Sequence, residues 1–199
     1  MYRGIDLRHY GSGNVGVGNL VLATSYRDAI PAISFDILKG LVPVVTARLL
    51  SFDILQQVLI GLASVAGHNW PVFLRFNGGR GILTTMAVAT ALPAVNGYFP
   101  WEIAVFLVTM IILLIIMRST PVGVLVSIAS FPLVSWLTDK PLVMTAGFFG
   151  MFVMMIIRRL IVPVSEEEKR NSTGRLMLYR FLYDRDIKDG KAWIRRKNV

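Results

Sequence analysis

From Ala29 onward the chain alternates long apolar stretches with short polar interruptions. Ala104–Met117 (AVFLVTMIILLIIM), Pro121–Leu137 and Pro141–Ile157 carry no charged residue at all. Runs of roughly 17 to 25 apolar residues are long enough to cross a hydrocarbon core of ~30 Å as helices. The pattern predicts membrane helices near Ala29–Leu50, Phe52–Ala66, Ile82–Val95, Trp101–Met117, Pro121–Leu137 and Leu142–Val162. The second and third are short and are broken by Gln56, Gln57 and several Gly or Thr residues. The expected fold class is an all-α integral membrane protein, a compact bundle of about six transmembrane helices. After Pro163 the composition turns charged, which divides the chain into a membrane-embedded domain over residues 1–163 and a basic amphipathic tail over residues 164–199.

The totals agree with that picture without deciding it: 54% of the 199 residues are hydrophobic and the mean hydropathy is +0.60. The placement of the net charge of +9 says more. Arg3, Arg8 and Arg27, then Arg75 and Arg80, then Arg118, then Arg158, Arg159 and the tail fall in alternate connections. Their opposites hold Arg48 with Asp53, then Glu102, then Asp139 with Lys140. By the positive-inside rule the first set faces the cytoplasm, with both termini and both Gly-rich segments. Tyr98, Phe99, Trp101 and Trp136 then fall at the outer interface. Membrane lipid is an expected partner. Charge gathered at one membrane face argues against nucleic-acid binding. Cysteine is absent, which excludes disulfides and thiolate metal sites, and no His/Glu spacing suggests a metal. No cofactor is implied. The opening MYRGIDLRHY lacks the apolar core of a signal peptide.

Two Gly-rich segments interrupt the apolar pattern on the basic side. One is Gly11-Ser-Gly-Asn-Val-Gly-Val-Gly-Asn19. The other, Asn77-Gly-Gly-Arg-Gly81, ends a polar loop that begins at Gly67-His68. Glycines let amide groups crowd toward one point, and such amides at a helix start make an anion cradle. Ile82 is expected to begin a helix at once after Gly81, and Arg80 adds a planar fork suited to phosphate oxygens. The loop is not a nucleotide P-loop, since no Gly-Lys-Ser/Thr closes it. His68 reads either as an interfacial histidine or as a catalyst, and no triad partner stands at a telling spacing. Asp36 and Lys39 share one face of an apolar helix. They either neutralise each other or buttress the first Gly-rich segment. In the tail, Leu176, Tyr179, Leu182 and Tyr183 share a helical face. It suits a helix lying on anionic lipid, with a part in the active site as the alternative.

Together, Asp6-Leu-Arg with Gly11-Ser-Gly-Asn14 and Asn19, then Asp36-Ile-Leu-Lys-Gly40, then Gly67-His-Asn-Trp-Pro through Gly81 with Thr84, resemble one family. It is the bacterial acyl-phosphate:glycerol-3-phosphate acyltransferases of the PlsY type. The resemblance implies transfer of a fatty acyl group from acyl phosphate to the 1-hydroxyl of glycerol 3-phosphate, giving lysophosphatidic acid in phospholipid biosynthesis, at the bacterial cytoplasmic (inner) membrane. It assigns substrate phosphates to Ser12, Gly13, Asn14, Asn19, Gly78, Gly79, Arg80, Gly81 and Thr84. Arg80 and His68 become the catalytic candidates, with Asp36 and Lys39 in support. Acyl phosphate is already activated, so no protein nucleophile is required; neutralising two phosphates and aligning the hydroxyl is enough.

Four departures qualify the likeness. The family implies a further membrane helix ahead of the first motif. Gly18 replaces a threonine, and Leu22 an arginine that binds phosphate. Arg80 stands for a lysine. The third motif, His-x-x-Asn with a downstream acid, is not recognisable in RRLIVPVSEEEKRNSTG, where Arg158, Arg159, Asn171 or Arg175 are the available substitutes. These departures leave an alternative function, a non-catalytic or re-specialised relative that binds acyl phosphate or lipid phosphate.

Overall fold

A computed structural model describes residues 6–7, 14–161 and 173–184. Among these residues every element is helical. A short α1 (Val17–Ala23) leads into α2 (Tyr26–Leu49), α3 (Ile54–Asn69), a 3-10 turn (Val72–Leu74), α4 (Ile82–Val95), α5 (Trp101–Met117), α6 (Thr120–Leu137), α7 (Leu142–Leu160) and α8 (Thr173–Tyr183). Local chemistry sets the boundaries. Ser25 caps α2 by accepting from the Asp28 amide, and Asp53 with Gln56 forms a reciprocal capping box on α3. Gly81, at φ +68°, turns the chain into α4. Pro121 sits in the first turn of α6, where its missing N–H is no loss.

The six expected helices correspond to α2–α7, with shifts at their ends. α2 starts at Tyr26, earlier than Ala29, because the Ser25 cap nucleates it. α3 runs past Ala66 to Asn69, so Gly67 and His68 lie in its last turn instead of in the loop. Among the described residues α2, α6 and α7 are long and apolar enough to span a membrane, while α4 and α5 are apolar but shorter. α5 shows why lipid must surround the bundle. Leu107, Val108, Ile111, Ile112, Ile115 and Ile116 are all exposed, an apolar surface no water-soluble monomer sustains.

Small residues let the helices approach closely. A Cβ on Gly40 of α2 would lie 2.5 Å from the Thr84 carbonyl of α4, and one on Gly61 of α3 would lie 2.7 Å from Val88. Gly147 of α7 likewise seats Val58 of α3. Packing against small residues is how membrane helices gain contact where lipid offers no hydrophobic drive. At the centre Phe131 of α6 meets Phe106 of α5 and Phe148 of α7, each at 6.0 Å between ring centroids. Leu92, Ile128, Met144 and Met151 complete a dry core.

The alternating helices give the bundle two polar ends. One holds the α3, α5 and α7 starts, with the buried pair Lys140–Glu102 at 2.9 Å and Lys140 also donating to Thr138 Oγ1. Phe99, Trp101 and Trp136 are exposed there. The other end gathers the start of α4, the ends of α3 and α7, and α8.

Candidate functional site

The second Gly-rich segment is held in place by groups distant in sequence. Arg158, in the last turn of α7, donates from Nη2 to the Gly78 carbonyl at 2.8 Å and from Nε to the Gly79 carbonyl at 3.2 Å. The Gly78 amide donates to the Asn69 carbonyl at 3.1 Å. So Gly78 does not offer its N–H to an anion, contrary to the simplest reading of the motif; its role is fit. A Cβ there would overlap the His68 carbonyl and the Pro71 ring, and one on Gly79 would overlap His68 Nε2. No backbone partner among the described residues meets the amides of Gly79, Arg80 and Gly81, and α4 opens without a side-chain cap. Those amides, with the start of α4, are left open, an arrangement suited to an anion.

Beneath Gly81 lies Asn69, fully buried, its Oδ1 only 2.5 Å from where a Gly81 Cβ would stand. Among the described residues neither Oδ1 nor Nδ2 has a hydrogen-bond partner. A buried amide without a partner costs ~1–3 kcal/mol, so its retention beside an uncapped helix start points to a ligand. Sequence reasoning passed over Asn69. The available signal was a second polar residue, after His68, at the end of an apolar run.

Asp36 joins the segment to α2. Its carboxylate lies 3.1 Å from Lys39 Nζ and 3.2 Å from His68 Nδ1. Its main-chain carbonyl accepts from the Thr84 hydroxyl at 2.9 Å. Asp36 and Lys39 do pair, but the carboxylate also reaches the His68 ring, whose far nitrogen abuts Gly79. Thr84 therefore ties α4 to α2, and its proton is committed away from the glycines. Lys39 is also 4.5 Å from the Phe35 ring centroid, a cation–π distance.

The tail helix does not lie free on lipid. Leu176 is buried, and Phe181 and Leu182 pack on the core. Arg159 donates to the carbonyls of Phe181 at 2.9 Å and Pro121 at 2.8 Å, and Arg180 to that of Leu160 at 3.2 Å. The turn after α8 carries Asp184 to Arg80: Nε stands 2.7 Å from Oδ1 and 2.8 Å from Oδ2. Asp184 was missed in sequence because it is separated from Arg80 by 104 positions. Arg80, Arg158, Arg159 and Arg180 thus gather at one end of the bundle.

Of the first Gly-rich segment, Ser12 and Gly13 lie outside the described residues, as does Asn171. Asn14 folds onto Gly16, where a Cβ would meet its amide at 3.2 Å. Asn19, buried in α1, donates to the Leu7 carbonyl at 3.1 Å. That bond pins the segment's exit. Leu22 is half exposed, and a Cβ on Gly18 would meet open space.

Residues 1–166 match the family described as glycerol-3-phosphate acyltransferase. A protein named glycerol-3-phosphate acyltransferase 4 from Dehalococcoides mccartyi strain CBDB1 is 37% identical over an alignment covering 99% of this chain and 84% of the relative. The glycerol-3-phosphate acyltransferase of Pseudomonas syringae pv. syringae is 37% identical over 66% of each chain. Two crystal structures of PlsY (YgiH), an integral membrane glycerol 3-phosphate acyltransferase, share the fold. The glycerol 3-phosphate form aligns with a TM-score of 0.70 at 28% identity, covering 79% of this chain and 76% of that one. The lysophosphatidic acid form aligns at 0.67 and 25% identity, covering 87% and 83%.

Proposed function

This chain belongs to the glycerol-3-phosphate acyltransferase family, and from that premise we propose that its Arg-rich end, turned to the cytoplasm, is where an acyl group passes from acyl phosphate to glycerol 3-phosphate. It is an integral membrane acyltransferase of lipid synthesis. The carrying observation is the Gly78–Gly81 segment. Arg158 grips its carbonyls while its later amides, Arg80 and the open start of α4 remain for an anion.

In the reaction the 1-hydroxyl oxygen of glycerol 3-phosphate forms a bond to the acyl carbonyl carbon. The bond from that carbon to the phosphate oxygen breaks, and inorganic phosphate leaves. Arg80 and the amides neutralise phosphate charge and hold the reactants in line, an effect worth ~7–11 kcal/mol when alignment is good. His68 takes the hydroxyl proton at Nε2. Asp36, 3.2 Å from Nδ1, favours the tautomer that leaves Nε2 able to accept, and stabilises the imidazolium that results. The Nδ1–Asp36 contact is not well aligned, as is common for catalytic hydrogen bonds before substrate binds. The proton then passes to the departing phosphate. The non-catalytic alternative is disfavoured, since the relatives that span the whole chain are named as acyltransferases.

The test is phosphate release by purified protein in nanodiscs given acyl phosphate, with and without glycerol 3-phosphate. Release that depends on the acceptor, and falls at least about a hundredfold in His68→Ala and Arg80→Ala, is the expected result. Unchanged release in both variants would displace the site. Because the chain has no cysteine, Gly174→Cys and Asp139→Cys report orientation directly; a membrane-impermeant thiol reagent on intact cells should label only the second.

A further inference from the structure

The geometry points to Asp184 as the positioning residue that aims Arg80 at a substrate phosphate. This rests on the acyl-transfer reading above and extends it to the tail helix. Arg80 has an arginine's problem: a long side chain whose planar fork binds phosphate well only when its plane is fixed. Both ends of that problem are solved here by distant groups. Arg158 fixes the backbone on the N-terminal side of Arg80 through the Gly78 and Gly79 carbonyls. Asp184 fixes the side chain, and it does so at Nε alone. The Nη1 and Nη2 edge has no partner among the described residues and remains the part of the fork that can take two phosphate oxygens.

Asp184 is itself held. α8 is seated by Leu176, Phe181 and Leu182 and by the Arg159 and Arg180 bonds to main-chain carbonyls. The Asp184 amide closes the helix on the Arg180 carbonyl at 3.0 Å, with the residue at φ +53°. Aspartate tolerates that left-handed region better than most residues. Among the described residues Asp184 acts on Arg158 and Arg159 as well as Arg80, so one carboxylate is shared among several guanidiniums and orients Arg80 without cancelling its attraction for phosphate. A guanidinium needs such a group where a lysine would not, because an ammonium is a point charge with no plane to set.

The experiment is a double-mutant cycle on Arg80 and Asp184 with steady-state kinetics for both substrates, together with thermal unfolding with and without inorganic phosphate. Arg80→Lys identifies the substrate whose KM depends on that side chain. Asp184→Asn should raise the same KM about tenfold and change kcat less than about twofold. Asp184→Glu should recover part of the loss. In the Arg80→Lys background, Asp184→Asn should add less than about a twofold effect. Phosphate should protect the wild type against unfolding more than it protects Asp184→Asn. A lowered KM in Asp184→Asn would make the carboxylate a competitor of phosphate and overturn the proposal. So would an equal loss in both backgrounds, or an equal drop in unfolding temperature in both, either of which reduces Asp184 to a strut for α8. Failure of the acyl-transfer reading looks different: the wild type would release no acceptor-dependent phosphate. The phosphate protection then still decides whether Asp184 aims Arg80 at an anion.

Discussion

The two ends of the bundle both bury charge, and they do so to opposite effect. At the end that carries Trp101 and Trp136, the buried charges answer each other. Lys140 meets Glu102 through both carboxylate oxygens and Thr138 through its hydroxyl, with the two charged side chains 1% and 0% exposed. Gln57 donates to the Phe52 carbonyl and accepts from Asn96. At the other end four arginines gather, Asp184 pairs with Arg80, and among the described residues the Asn69 side-chain amide has no partner. A closed set of polar groups fixes one packing; donors left over at a helix start are capacity for a ligand. The difference between stability and function in this molecule is therefore written in hydrogen-bond satisfaction more than in burial.

The sharpest way to break the comparison is to open the closed end. Glu102→Ala leaves Lys140 buried and unpaired, and losing one partner of a buried pair costs about 3–5 kcal/mol. Thermal unfolding in detergent should show that loss, while the folded fraction keeps its kcat and KM. Arg158→Ala at the other end should do the reverse. Two charge-assisted bonds to the glycine carbonyls disappear, and acyl transfer should fall about a hundredfold, equivalent to ~2.7 kcal/mol. Its unfolding temperature should fall less than that of Glu102→Ala. If the two variants lost stability and activity in the same proportion, the division between the ends would be gone.

How much of this could be read in the sequence follows the same division. The membrane helices were legible because lipid enforces long uncharged runs, and α4 begins at Ile82 as Gly81 requires. The end of α3 was not: Gly67 reads as a breaker, yet the helix continues to Asn69, which moves His68 from a loop to a fixed helical position facing Asp36. Arg158 and Arg159 were counted among loop charges that set orientation, but both lie buried in the last turn of α7. Hydropathy alone cannot distinguish a snorkelling arginine from one clamped on a neighbouring carbonyl. α1, with seven residues, is too short for any periodicity to reveal. The Asp184–Arg80 pair is a product of tertiary packing, invisible until α8 is seated.

Smaller effects sharpen the contrast inside the functional end. Gly81→Ala places a Cβ at a left-handed position and against Asn69 Oδ1. Strain of about 1–2 kcal/mol should lower the unfolding temperature modestly, and activity should fall about tenfold as the start of α4 is displaced.

Asn69→Leu is the most discriminating and the smallest. Elsewhere in a dry core, an amide with no partner is a liability, and an apolar side chain of similar shape should be neutral or stabilising. If Asn69 were a mere packing residue, the leucine variant would unfold at the same or a higher temperature and work as well as the wild type. If its amide waits for a phosphate at the start of α4, stability should hold or rise by up to about 1 kcal/mol while kcat/KM drops about fivefold. Stability and activity would then move in opposite directions at a single buried position. No substitution at Gln57 can do that, because its amide already has both partners. There the same change to leucine strands the Phe52 carbonyl and Asn96, and stability should fall with no selective loss of transfer.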